Sequence, residues 1–93
     1  MRKIEKEMLE AIESASEFWN KDNTCVEFVE STGGSDVFLH GHHIATVQRD
    51  GLALVMVNTL RNWPTRTTMS RLRALGVDVC TRKGEVMLNG AAL

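Results

Sequence analysis

The chain has 93 residues, of which 43% are hydrophobic and 25% are charged, and its formal net charge is −1. These values are typical of one globular domain with a single core, and they exclude a disordered chain. No apolar run approaches the ~20 residues of a membrane-spanning helix, so we expect no membrane contact.

The two cysteines, Cys25 and Cys80, stand far apart in the sequence and form no Cys-x-x-Cys motif. Isolated cysteines of this kind are typically reduced and buried, and they are characteristic of proteins from reducing compartments. We therefore expect two buried thiols and a cytoplasmic location.

The first element is predicted to be an amphipathic helix over residues 2–20. Ile4, Met8, Ile12 and Trp19 follow one another at intervals that place them on one face of a helix. The opposite face is acidic. We expect it to expose five glutamates: Glu5, Glu7, Glu10, Glu13 and Glu17.

Residues 24–58 are predicted to form a meander of four antiparallel strands. Gly41-His42 is expected to be a two-residue hairpin turn, and Asp50-Gly51 is a dipeptide typical of such turns. The apolar run over residues 52–57 is expected to be a strand that is covered on both faces.

A basic second helix is predicted over residues 65–75, followed by a hairpin over residues 77–88. Thr65 or Thr67 can accept a hydrogen bond from an N–H group of the first helical turn, and Gly76 suits the left-handed position after the helix. Lys83-Gly84 is compatible with a tight turn between the last two strands.

Together these elements predict an α+β fold in which residues 1–93 form a single compact domain. The element order is α-β-β-β-β-α-β-β, and a mainly antiparallel sheet is packed by the two helices. Trp63, which precedes Pro64 at the end of the sheet region, is expected to cover the end of the core.

Charge is unevenly distributed along the chain. Residues 1–60 hold five Lys or Arg and ten Asp or Glu, whereas residues 61–83 hold six and one. The basic segment can bind nucleic acid or an acidic protein, or it can be no more than a solvated helix face. The candidate residues for contact with a partner or with nucleic acid are Arg61, Arg66, Ser70, Arg73, Arg82 and Lys83.

Arg66 and Arg73 project from nearly the same side of the predicted helix, with Ser70 close by. Two arginines and a hydroxyl on one exposed face can contact successive phosphates. A basic helix followed by a hairpin also resembles the recognition helix and wing of a winged-helix domain. However, such a domain needs two helices before the recognition helix, and strands precede it here.

His40 and His43 are candidates for a metal site at the tip of the hairpin that joins the second and third predicted strands. With the turn at Gly41-His42 they would be cross-strand neighbours, and further ligands would have to come from His42 or Asp36. A polar hairpin tip without a metal is the preferred interpretation, and no cofactor is expected. No motif typical of a catalytic nucleophile is found, so we expect that the protein is not an enzyme.

Two motifs give the chain a resemblance to a known group of proteins. The hairpin reads V-x-L-H-G-x-x-I-A from Val37, and the helix region reads W-x-T-x-T-T-x-S-R-L from Trp63. Together with the basic terminal hairpin, they resemble small accessory proteins of tailed bacteriophages over about residues 37–84, without the first helix. The resemblance implies a phage product in the bacterial cytoplasm, and it implies no catalytic residue and no ligand.

The predicted function is that of a non-catalytic phage-type accessory protein that binds and modulates or inhibits a host bacterial protein. The acidic residues Glu10, Glu13 and Glu17 are candidates for presenting carboxylates to a nucleic-acid-binding host enzyme. The alternative is a small nucleic-acid-binding protein that uses the basic helix and the C-terminal hairpin. A structural homo-oligomer is a third alternative.

Overall fold

A five-stranded antiparallel sheet forms the centre of the computed structural model, which describes the whole chain from Met1 to Leu93. Three helices pack on one face of this sheet, and a three-stranded sheet follows at the C-terminus. The elements are, in chain order, α1 (Lys3–Glu13), β1 (Phe18–Lys21), β2 (Thr24–Val29), β3 (Gly34–Leu39), β4 (His42–Val47), β5 (Ala53–Val55), α2 (Val57–Asn62), α3 (Arg66–Ala74), β6 (Val79–Arg82), β7 (Glu85–Leu88) and β8 (Ala91–Ala92). The strand orders are β1-β2-β3-β4-β5 and β6-β7-β8.

The predicted α+β class and the single compact domain are confirmed. Three elements go beyond the predicted order, namely the first strand β1, the short helix α2 and the last strand β8. The strands also form two sheets in place of the one that was expected.

The first helix ends at Glu13, well before the predicted residue 20. Ser14 is its C-cap, and Ala15 takes a left-handed conformation with φ of 54°, which stops the helix and turns the chain back. Phe18 and Trp19 then lie in β1, since large aromatic residues suit a pleated strand. The helical spacing of Trp19 was therefore a coincidence.

An ion pair holds β1 against α1. Lys21 Nζ donates to Glu7 Oε2 over 2.8 Å, and this hydrogen bond lowers the pKa of Glu7 and raises that of Lys21. Glu7 was expected on a free acidic face, so one member of that face is already paired within the chain.

The apolar run 52–57 does not form one strand covered on both faces. It is divided between the edge strand β5 and the helix α2, and Leu52 and Leu54 are 60% and 43% exposed. Met56 marks the boundary: its N–H donates to the carbonyl of Ile44 in the sheet, and its own carbonyl accepts from Leu60 N in α2. A short apolar run cannot by itself distinguish a strand from a buried helix.

The C-terminal third follows the turn chemistry of its residues. Thr65 is the N-cap of α3, where its Oγ1 accepts from Thr68 N over 3.1 Å, and Gly76 follows the helix with φ of 91°. Lys83 and Gly84 both have positive φ at the turn of the β6–β7 hairpin.

The core lies between the helices and the inner face of the five-stranded sheet. It consists of residues from all three helices and from both sheets: Met8, Val26, Val37, Leu39, Ile44, Ala45, Val47, Leu60, Met69, Leu72 and Val79. No helix covers the other face of the sheet, which leaves that face to solvent.

The helix α2, which the sequence pattern missed, is expected to contribute to stability through Leu60. This side chain is 1% exposed, so Leu60→Ala should lower the free energy of unfolding by about 2–5 kcal/mol. The matched control is Leu52→Ala, which removes the same atoms from an exposed position and should cost less than about 1 kcal/mol. Urea denaturation followed by circular dichroism measures both, and equal losses would mean that α2 does not pack on the core.

Candidate partner-binding surfaces

A buried ion pair joins α1 to α3. Arg71 Nη1 donates to Glu5 Oε2 over 2.8 Å, and both residues are less than 5% exposed. Ser70 Oγ donates to the same carboxylate oxygen over 2.6 Å, and Arg71 Nε donates to Thr24 Oγ1 in β2 over 3.1 Å. The backbone N–H of Arg2 donates to Glu5 Oε1. The cluster therefore ties both helices to the sheet.

The carboxylate of Glu5 is charged within the protein. Burial by itself raises the pKa of Glu5, but the hydrogen bonds from Ser70 and Arg71 and the positive charge of Arg71 lower it further than burial raises it. The net result is a pKa below the ordinary value of 4.5. No buried side-chain nitrogen or oxygen lacks a hydrogen-bond partner, so the desolvated polar groups of the cluster are satisfied within the chain.

This cluster corrects the exposed position expected of Glu5 and shows that Ser70 has a partner within the chain. Ser70 was a candidate for contact with phosphate or with a partner, but its hydroxyl is bonded to Glu5. Glu5 was expected on the exposed acidic face, but it lies three, four and seven residues before Met8, Leu9 and Ile12. That spacing places it on the buried stripe of α1, and this signal was present in the sequence.

The remaining basic candidates are spread over three parts of the molecule. Arg61 lies on α2, Arg66 and Arg73 lie on α3, and Arg82 and Lys83 lie at the end of the β6–β7 hairpin. All five are exposed. Arg73 Nε donates to the carbonyl of Val79 over 2.8 Å, so part of this guanidinium fixes α3 to the second sheet.

The acidic candidates do not share one helix face. Glu10 and Glu13 are exposed on α1, whereas Glu17 is exposed in the segment between α1 and β1. Its carbonyl accepts from Phe28 N. The early end of α1 at Ala15 is the reason for this separation.

The histidines do not form the predicted pair. The turn is His40-Gly41, where both residues have positive φ, and it is one residue earlier than expected. His40 therefore lies in the turn, and His43 lies opposite Phe38. Glycine in the second position suits a type I′ turn, which explains the shift. No group of three or more His, Cys, Asp or Glu side chains is arranged to hold a metal ion.

His43 instead belongs to a hydrogen-bonded chain on the solvent side of the sheet. Thr46 Oγ1 donates to Asp36 Oδ1 over 2.7 Å, and His43 Nε2 lies 3.0 Å from Thr46 Oγ1. Because the single hydroxyl proton of Thr46 is used on Asp36, His43 must donate through an Nε2–H group. The ring of Phe38 packs against this imidazole at 5.0 Å between centroids.

We call the uncovered side of the five-stranded sheet the outer sheet face. Its members alternate with the core residues along each strand: Phe18, Asn20, Cys25, Glu27, Val29, Asp36, Phe38, His43, Thr46 and Leu54. Phe18 is 59% exposed and Leu54 is 43% exposed. The charged residues among its members are the acids Glu27 and Asp36, while Arg49 and Asp50 line a pocket with Thr46 and Leu54 at one edge of the face.

The two cysteines differ in their surroundings, and neither is fully buried as expected. Cys80 is exposed on β6, whereas Cys25 is half-buried on the outer sheet face. Burial and the neighbouring Glu27 carboxylate raise the pKa of the Cys25 thiol. Both are free thiols.

Trp63 does not cover the core as expected. It is 48% exposed and stacks on His42, with 4.5 Å between ring centroids and 23° between ring planes. The shift of the hairpin turn places His42 opposite Leu39, on the helix side of the sheet. The sequence alone could not have shown this contact, because it joins β4 to the segment between α2 and α3.

A family model for the Kyanoviridae Gp96 protein matches residues 1–92, which is nearly the whole chain. The chain belongs to this family of phage proteins. The match includes α1, which lay outside the resemblance based on the two motifs. No curated protein and no solved structure matches the chain. None of the three helices is long and apolar enough to cross a membrane.

The buried ion pair is expected to be essential for stability. Arg71→Met leaves the Glu5 carboxylate buried without its charge partner, and it should cost about 3–5 kcal/mol of unfolding free energy. Replacing both residues by methionine removes the unpaired charge, so the double variant should be more stable than Arg71→Met alone. Urea denaturation at pH 7 measures the wild type, the single variants Arg71→Met and Glu5→Met, and the double variant, and strictly additive losses would contradict the pairing.

The ion pair between Glu5 and Arg71 also makes the free energy of unfolding depend on pH. Because the pKa of Glu5 is lower in the folded protein than its ordinary value of 4.5, its contribution is fully present above that value and is lost as pH falls through the folded-state pKa. The double methionine variant lacks this contribution, so its stability should fall less between pH 5 and pH 3. Equal losses of unfolding free energy in the wild type and the double variant across this range would show that Glu5 does not contribute in this way.

Proposed function

We propose that this phage protein acts without catalysis, by binding a protein of the bacterial host through the outer sheet face. The observation that supports it most is that two large apolar side chains, Phe18 and Leu54, are exposed on an uncovered sheet face of a small chain that belongs to a phage family. Large exposed apolar side chains on a sheet with no covering layer are typical of protein interaction sites. A host component in the bacterial cytoplasm is the partner that a phage protein of this kind would meet.

The strand register gives this surface a defined pattern. Directly paired positions form one row across the sheet: Phe18, Glu27, Asp36, Thr46 and Leu54. Neighbouring strands lie about 4.8 Å apart, so Phe18 and Leu54 are separated by roughly 19 Å. Two apolar anchors thus flank a pair of carboxylates.

This pattern favours one kind of partner. The complementary surface has two apolar pockets with Lys or Arg side chains between them, since interfaces are arranged with opposite potentials. A second copy of the chain fits poorly. A two-fold axis along this row would place the carboxylates of Glu27 and Asp36 against the same two carboxylates of the second copy. Nucleic acid is repelled by these residues for the same reason.

The sequence also suggested nucleic-acid binding by α3 and the terminal hairpin. Some of the residues behind this alternative are engaged within the chain. The hydroxyl of Ser70 is bonded to Glu5, and Arg73 is bonded in part to Val79. The residue Arg71 is neutralised by Glu5.

Affinity capture with matched variants tests the proposal. The wild type should retain a defined protein from a lysate of the host bacterium, and purified partner should then bind in calorimetry. Phe18→Ser and Leu54→Ser should each weaken binding at least tenfold, as expected of apolar anchors. Glu27→Lys should weaken it through charge repulsion.

The control variant is Trp63→Ala, which removes an exposed aromatic side chain from the opposite side of the sheet and should leave binding unchanged. A partner that is retained equally by the wild type and by Phe18→Ser would contradict the proposal. Self-association that is lost in Phe18→Ser, seen by light scattering, would also contradict it.

The two thiols offer an independent footprint of the same surface. Cys25 lies on the outer sheet face, so a bound partner should slow its alkylation at least several-fold, whereas the exposed Cys80 should react at the same rate with and without partner. Mass spectrometry after a timed iodoacetamide pulse measures both sites. Protection of Cys80 but not of Cys25 would place the interface elsewhere.

A further inference from the structure

A second surface lies on the other side of the molecule, around the segment that joins α2 to α3. Six consecutive residues, 61–66, are exposed, and they include Trp63 between Arg61 and Arg66. His42 occupies one face of the indole ring, at 4.5 Å between centroids. Trp63 as a whole residue is 48% exposed, so His42 leaves a large part of its surface open to solvent.

The ring is held in place by the fold. His42 is fixed opposite Leu39 in the β3–β4 pairing, and Trp63 N donates to the carbonyl of Thr59 over 2.8 Å at the end of α2. The contact between the two rings therefore joins a strand to a helix end. A pre-oriented aromatic ring loses little conformational freedom when another ring stacks on it.

The charge around this ring is positive. Residues 51–77 contain no Asp or Glu. The cavity beside the rings, of about 190 Å³, is lined by Leu39, His40, His42, Ile44, Trp63, Thr65 and Thr68, and none of these residues is acidic. Arg61 and Arg66 form no ion pair. Arg61 Nη1 donates to Asn58 Oδ1 over 3.4 Å, and this exposed neutral contact leaves the positive charge available to an anion.

We infer that Trp63 is a stacking platform for a base of single-stranded nucleic acid, and that Arg61 and Arg66 contact the phosphates beside it. Bases stack on exposed aromatic side chains without sequence preference, and cationic side chains follow the backbone. A cationic ligand is disfavoured by the two arginines. An acidic peptide would gain nothing from the open face of the indole ring.

The geometry also favours a single strand over a duplex or an enclosed nucleotide. In a duplex the base faces are already stacked, so they cannot reach Trp63. The cavity of about 190 Å³ is smaller than the ~300 Å³ at which small-molecule sites begin. The base therefore lies on the outer face of the ring, and the strand continues over the surface.

Fluorescence anisotropy with a labelled twelve-nucleotide thymidine strand tests this inference, since it contains stackable bases and no stable secondary structure. Binding should be measurable at 50 mM salt and should weaken as salt rises. Trp63→Ala should lower the affinity by roughly 5- to 150-fold, the range found for the loss of one stacked base. Trp63→Phe should retain part of it.

Two double variants with the same change in net charge separate a local site from general attraction. Arg61→Gln with Arg66→Gln should weaken binding and make the salt dependence shallower, by about 1.4 in the slope of log K against log salt. Arg82→Gln with Lys83→Gln changes the tip of the β6–β7 hairpin, which belongs to the other sheet, and should leave most of the binding intact. Both arginines and Trp63 are exposed, and circular dichroism checks that each variant is folded.

Several results would overturn the inference. They are no binding at 50 mM salt, full binding by Trp63→Ala, equal losses in the two double variants, or tighter binding of the matching duplex than of the single strand. Thymidine monophosphate at the same concentration should compete poorly, since one nucleotide contacts the ring but not both arginines. Phe18→Ser should bind the oligonucleotide as tightly as the wild type does, so the result of this test does not depend on whether the outer sheet face binds a host protein.

Discussion

The ion pair between Glu5 and Arg71 determines how the helices are placed on the sheet. Two charged side chains that are less than 5% exposed tolerate very little displacement, because each would otherwise be left unpaired in the protein interior. Ser70 and Thr24 complete the hydrogen bonds, so the cluster connects α1, α3 and β2 at one point. The cluster adds a directional constraint to the apolar packing, because its hydrogen bonds form at one position of α1 relative to α3 and β2.

Two separate surfaces follow from that placement. With every helix on one side, the opposite side of the sheet stays open, and its carboxylates and apolar anchors form the outer sheet face. The segment between α2 and α3 leaves the helix layer at the edge and carries Trp63 with its arginines. The outer sheet face exposes the carboxylates of Glu27 and Asp36, whereas Arg61 and Arg66 reach solvent on the helix side of the domain.

The sequence predicted the parts of the fold that rest on local chemistry. Thr65, Gly76 and the Lys83-Gly84 turn take the positions that their side chains and conformational freedom suggest. It failed where a residue's role depends on distant partners. Ala15 ends α1 in a left-handed conformation that is unusual for alanine, and the apolar run around Met56 gives no sign of where a strand becomes a helix. The candidate surfaces were the least predictable, since the contact of Trp63 with His42 depends on a hairpin turn that lies one residue earlier than expected.

The β3–β4 hairpin carries a constraint on how the chain can vary. His42 and His43 are neighbours in sequence, yet they point to opposite sides of the sheet, one toward Trp63 and the other toward Phe38. A slip of the β3–β4 pairing by a single residue would exchange their directions and disturb both surfaces at once. The register of this one hairpin therefore positions both surfaces, so the outer sheet face and the Trp63 contact cannot vary independently of each other.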